Sequence, residues 1–356
     1  ACLAVEYQSA VYLLPVAVLF VLRVRPLGPG LAAGVLGAAP VLAALLGYGN
    51  AAFGSPLKTG YNYVANAFFA SIHDQGFMGV KYPRATAFVG SLFLPSKGIL
   101  FWSPFLLLGF LGIPGLRPGP APDGTPPERR AVRADRWLRA IQCALPILFV
   151  SSMVYWDGGW TVSQRHLTPL VPFLVAPAAC LIDRSRFARL FAPALVAISV
   201  LFTGLATVVY PHLPEGVPNP LHDLVLPLLR DGCIAATPLE PLVGAGTLAF
   251  VFALAVAALA VWSVAAGPGG VGWKLAAVLL LALGPLAAFD GSSRVGRLDA
   301  KERAKEIEYF QRQCRVAGRW DAPPAVLAPP AGTRKLVPPL PKKGKGTAPK
   351  VQRADP

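Results

Sequence analysis

Residues 27–49, "LGPGLAAGVLGAAPVLAALLGYG", form a stretch of twenty-three residues without one charged side chain. A helix of a soluble protein needs a polar face, which this run lacks. Crossing a hydrocarbon core of about 30 Å takes about 20 apolar helical residues, so the run reads as a membrane span. The rest of the chain agrees. Of its 356 residues 54% are hydrophobic and 14% charged, and the mean hydropathy is +0.53. That balance excludes an ordinary soluble domain.

Applied along the chain, the same criterion predicts about eight spans, near 3–22, 27–49, 98–116, 140–156, 167–183, 188–210, 242–266 and 273–290. The expected fold class is all-α: a polytopic transmembrane helix bundle over residues 1–290. Its Gly- and Ala-rich segments would let backbones approach closely where helices pack. Basic residues collect in "RVR" at 23–25, in the loop 117–139, in "RSRFAR" at 184–189 and at Lys274. These fall on one side when the spans alternate, and basic short loops stay cytoplasmic. Residues 50–97 and the loop 211–241 are then expected outside the cytoplasm.

The net charge of +15 raises the question of nucleic acid. The charge is split between those loops and a Pro/Lys-rich end, with no basic patch on a binding fold, so no nucleic-acid partner is expected and attraction to membrane lipids is. Residues 321–356 hold too little apolar content and too much proline for a core and are expected to be disordered. Residues 291–320 contain helix formers and i,i+4 charge pairs, which predict a short surface helix.

Five cysteines are present. Cys2, Cys143 and Cys180 fall in predicted spans as small apolar packers, while Cys233 and Cys314 lie outside them, where a disulfide is chemically permitted. Glu6, near the start of the first span, faces either a protein-lined site or interfacial water. His212, Glu215, His222 and Asp223 match no metal-ligand spacing, and neither a metal nor a cofactor is expected.

Chemistry concentrates at the span ends. Residues 50–105 are too broken by Gly and Pro to cross the bilayer, and their aromatics, with Lys58 among them, suit the headgroup layer. Lys97 precedes the third span. "YWDGGWTVSQRHL" at 155–167 places Trp156, Asp157, Trp160, Arg165 and His166 together. Gly158 and Gly159 permit a tight turn there. Lys97 and Arg165 are candidates for phosphate contacts, the alternative being that both anchor span ends by snorkelling. The two tryptophans suit stacking on a sugar ring, and Asp157 suits sugar hydroxyls or the orientation of Arg165. The alternative is an aromatic belt with an interfacial ion pair.

Three stretches in order, "NAAFGSPLKTGYN", "LPSKGILFWSPFLLL" and "WDGGWTVSQRHLTPLVPFLVAP", resemble the C-terminal part of bacterial polytopic glycosyltransferases of the GT-C superfamily. These include the protein mannosyltransferase and aminoarabinose transferase groups. The similarity covers about residues 1–185. It implies transfer of a sugar from a polyprenyl-phosphate carrier to a lipid, cell-envelope glycan or protein acceptor at the outer face of the bacterial inner membrane. It implies substrate-binding roles for Lys58, Lys97, Trp156, Asp157, Trp160, Arg165 and His166, the last standing where such proteins commonly carry Tyr. Their catalytic carboxylate would fall upstream of residue 1, so no residue here is given that role. A transporter or flippase for lipid-linked sugars, or a non-catalytic scaffold, remains as the alternative.

Overall fold

The computed structural model describes residues 9–24, 26–58, 69, 71–72, 74–77, 79–115, 129–231, 233, 258 and 270–313. Within them the chain is helical and forms no strand; two isolated bridges, Phe77–Val80 and Val80–Met153, are its only extended pairings.

The helices are α1 (Ser9–Arg23), α2 (Leu27–Phe53), α3 (Ala85–Leu92), α4 (Ile99–Trp102), α5 (Leu106–Gly112), α6 (Arg129–Ser152), α7 (Val171–Arg184), α8 (Arg186–Val209), α9 (Leu226–Arg230), α10 (Val271–Ser292) and α11 (Ala300–Gln313). A 3-10 turn, Arg165–Leu170, leads into α7, and a π turn, Leu221–Val225, leads into α9. In the bundle α5 packs on α7, α8 on α10, and both α1 and α3 on α6.

Four helical segments are long and apolar enough to cross a membrane: α2, Arg165–Arg184, α8 and α10. Their outward faces are bare hydrocarbon. Leu36 on α2 is 73% exposed and Leu286 on α10 66%, surface that a lipid surround would cover and water would not. The expected eight spans are thus met in part, with four among the described residues. The span near 242–266, Ala258 apart, and residues 1–8, with Glu6, lie outside the described residues.

Three other expectations are corrected. The segment 98–116 is not one helix but two pieces, α4 and α5, broken at Ser103–Pro104. Proline brings no N–H to the ladder, and side chains one turn apart on α8 occupy the groups set loose. Thr203 Oγ1 donates to the Trp102 carbonyl at 3.0 Å, and the Phe105 N–H donates to Ser199 Oγ at 3.2 Å. Residues 129–139, expected as the end of a basic loop, form the first turns of α6. The loop 211–241 is interrupted by the π turn and α9.

Close approach explains how α5 and α7 pair. A Cβ on Gly109 would sit 2.6 Å from that of Leu174, and one on Gly112 would strike the Pro177 carbonyl oxygen. Below them, Leu106, Ile113, Cys143, Val150, Leu167 and Leu174 share one buried cluster. A second, around Trp102, Phe202, Leu213, Leu221 and Phe310, joins α8 to the π turn and α11. The helix expected within 291–320 is present as α11, but it is not wholly a surface element, since Phe310 is buried. Cys233 is buried in the same cluster; Cys314 lies outside the described residues, as does the tail.

Candidate functional site

The end of α6, the start of the Arg165 turn, the end of α8 and the end of α10 meet at one pole of the bundle. Lys97 organises this pole. It is 1% exposed, and its ammonium donates to the carbonyls of Gly159 (2.5 Å), Thr161 (2.9 Å) and Leu213 (3.4 Å). One side chain thereby ties the chain before α4 to the 155–166 loop and to the chain after α8.

The loop is held by further bonds. Gln164, fully buried, donates to the Trp156 carbonyl and accepts from the His166 N–H at 3.2 Å. Gly158 and Gly159 take φ of 72° and 81°, a region open to glycine at little cost. Ser163 is held at φ 62°, a conformation non-glycine residues adopt only when their surroundings enforce it. The hydroxyl of Tyr12 on α1 donates to the His166 carbonyl. From the other side, Arg84 donates to the carbonyls of Met153 and Val154, and the N–H groups of Lys81 and Arg84 donate to Ser152 and Ser151. The expected interfacial segment therefore grips the end of α6, leaving Phe77 and Tyr82 exposed.

Two carboxylates flank the buried ammonium. Asp157 is half-buried, and its Oδ1 is enclosed without a hydrogen-bond partner among the described residues. Burial pushes its carboxyl up from the ordinary range, while Lys97 and the N–H groups of Gly158 and Gly159 pull it back. Glu215 accepts from the Tyr155 hydroxyl. Burial raises its carboxyl as well, again opposed by Lys97. Lys97 itself is lowered to about 8 by burial; the two carboxylates oppose this and Arg165 adds to it. Three charged groups thus share a poorly hydrated place, as at sites built for chemistry.

The residues singled out in the sequence divide accordingly. Lys97, Asp157, Arg165 and His166 are brought together. Arg165 is exposed, with its stem against Gly158. His166 is half-buried and held through its main chain. Trp156 is wedged against Gly90 of α3, so its ring is a packing surface. Trp160 is 44% exposed and packs edgewise on Tyr309 and at a tilt on Phe310. Lys58 is exposed on the turn after α2, whose backbone meets Gly49.

Sequence reasoning missed Tyr155, Gln164 and the pairing of Glu215 with this loop. Glu215 appeared only within an unmatched metal spacing, and only its predicted side of the membrane linked it to Asp157. Among the described residues no group of three or more His, Cys, Asp or Glu side chains is arranged to hold a metal. No family model, curated protein or solved structure matches the chain significantly, so the chemistry of this pole rests on its geometry.

Proposed function

We propose that the chain is the membrane-embedded part of a glycosyltransferase that takes a sugar from a polyprenyl-phosphate carrier and passes it to an acceptor hydroxyl at the outer face of a bacterial cytoplasmic membrane. One observation carries the reading. Lys97, Asp157 and Glu215, from three distant segments, converge at one pole of an apolar bundle, with Asp157 Oδ1 unpartnered among the described residues and Arg165 exposed alongside.

Breaking the bond between the sugar C1 and the carrier oxygen leaves the electron pair on the phosphate. Fixed positive charge stabilises it as it develops. Arg165, exposed and planar, is the cation able to meet two phosphate oxygens. Lys97 has given its donors to carbonyls, so it acts as a positioning residue: it fixes the loop and supplies positive potential from beneath. Asp157 accepts a sugar hydroxyl, and Trp160 offers a ring face to the sugar. The acceptor's proton leaves to a base that none of these residues is assigned to be.

The placement of ionisable groups favours interfacial chemistry over transport. In the four apolar segments they lie at the ends, at Arg165, His166, Asp183 and Arg184, at Arg186 and Arg189, and at Lys274 and Asp290, and α2 has none. Transport pathways put such groups at mid-span. A photoreactive polyprenyl-phosphate analogue added to the chain in lipid nanodiscs tests the reading: crosslinks should fall within residues 155–166 or 210–217. Crosslinks confined to the exposed faces of α2 or α10 would refute it.

A further inference from the structure

A second charged place lies beyond the first, built by elements the proposed transfer does not use. A cleft of about 450 Å³ opens between the π turn with α9 and the chain joining α10 to α11. It is lined by His222, Leu226, Pro227, Arg230, Arg297 and Arg303. At its base Asp223 is fully buried. Its Oδ1 accepts from Arg297 Nε at 2.7 Å, its Oδ2 accepts from the Leu298 N–H at 2.9 Å, and Arg303 Nη1 lies 3.9 Å from Oδ1.

Arg297 and Arg303 thus face one carboxylate whose oxygens are both engaged, and Arg230 lines the same cleft. A buried charge needs a partner, which accounts for Arg297. It does not account for the other two. Arg303 reaches Asp223 only at the longer distance and makes no side-chain hydrogen bond among the described residues. Arg230 is exposed and has no ion pair or hydrogen bond there. The neighbouring acids are turned elsewhere. Asp231 accepts from Gln311 at 2.6 Å, and Asp299 caps α11 by accepting from the N–H groups of Lys301 and Glu302. His222 meets Ser292 Oγ at 2.8 Å. Asn219 donates to the carbonyls of Ser292 and Val295, both at 2.7 Å. The end of α10 is thereby clamped to the chain at the π turn, beside the wall carrying Arg297.

We infer that the cleft binds a phosphoryl group, held between Arg230 and Arg303 with Arg297 behind. Guanidinium forks match tetrahedral oxyanions in pairs of hydrogen bonds, and a formal excess of two positive charges in a concave, partly desolvated place selects for an anion. Leu226 and Pro227 give the opposite wall an apolar surface, which suits a phosphate ester carrying an organic substituent. The ester is either soluble or the headgroup of a lipid, and the two sources share the same recognition.

The test uses the full chain in nanodiscs of phosphatidylcholine, with phenyl phosphate as the probe in calorimetry. The parent should bind it, and Arg230→Gln and Arg303→Gln should each weaken binding at least tenfold. Arg303→Lys should recover part of the loss, and Arg294→Gln, at an exposed arginine paired with Asp290 outside the cleft lining, should leave binding unchanged, which separates the cleft from the basic surface around it. In nanodiscs containing phosphatidylglycerol, competition against phenyl phosphate marks a lipid headgroup as the occupant; undiminished binding marks a soluble ester. Because Arg230 is exposed and has no ion pair among the described residues, Arg230→Gln does not threaten folding. No binding of the probe to the parent, or equal binding by the parent and both Gln variants, overturns the inference.

Discussion

Lys97 joins distant stretches of the chain through one buried ammonium. Its three acceptors are the carbonyls of residues 159, 161 and 213, where a phosphate contact or a span-end anchor was expected, so both stretches depend on it. Lys97→Met should orphan those carbonyls, lower the melting temperature, and expose the 157–163 loop to proteolysis. The loss should be about 2–4 kcal/mol, since unmade buried hydrogen bonds carry their full desolvation cost. The sign of its pH dependence is also fixed. Burial lowers the ammonium to about 8, below its ordinary 10.5, so between those values the unfolded chain holds the proton that the folded chain gives up. Stability from this group therefore rises as pH climbs from about 8 towards 10.5, and thermal melts at the two ends should show the rise in the parent and not in Lys97→Met. Asp157 works in the opposite sense. Its raised carboxyl favours folding in acid and costs stability as pH rises through its folded value. Asp157→Asn, measured at neutral pH, should hold or raise the melting temperature while weakening ligand binding, the trade expected of a residue kept for function.

Among the elements, the uniform apolar runs were readable. α2, α8 and α10 lie where the runs 27–49, 188–210 and 273–290 put them, because hydrocarbon leaves the backbone few options besides a helix. The break at Pro104 was not readable as a division of one span in two. What makes it tolerable is Ser199 and Thr203, almost a hundred residues away. Residues 129–139 misled in the other direction: charge suggested a loop, but the run after Arg129 contains good helix formers and no Gly or Pro before Pro146. Glycines carry the packing of α5 on α7. Gly112→Ala should cost about 1–3 kcal/mol, the usual penalty for overfilling a close contact, seen as a lower melting temperature in detergent. Gly37→Ala on α2, where a Cβ would meet nothing within 4 Å, should be neutral or stabilising by up to about 1 kcal/mol through helix propensity.

At the scale of the whole molecule, charge and hydrocarbon are sorted. Apolar faces of α2 and α10 point outward and charged groups lie at the span ends; at one pole Lys97, Asp157, Glu215 and Arg165 form one cluster, and the arginine cleft follows along the chain. The sequence revealed that the 155–167 stretch was too polar for its surroundings, and it put Asp157 and Arg165 in the one loop that Lys97 ties down. It did not reveal Glu215, Tyr155 or the cleft, because each depends on how the chain after α8 folds back over the pole. The most direct test of the donor-site reading is the dissociation constant of a soluble short-chain polyprenyl-phosphate analogue for the chain in phosphatidylcholine nanodiscs, with Arg165→Ala beside the parent. A loss of tenfold or more, about 1.4 kcal/mol, at unchanged melting temperature is the result predicted. Equal binding by the parent and Arg165→Ala, or no binding by either, would contradict it.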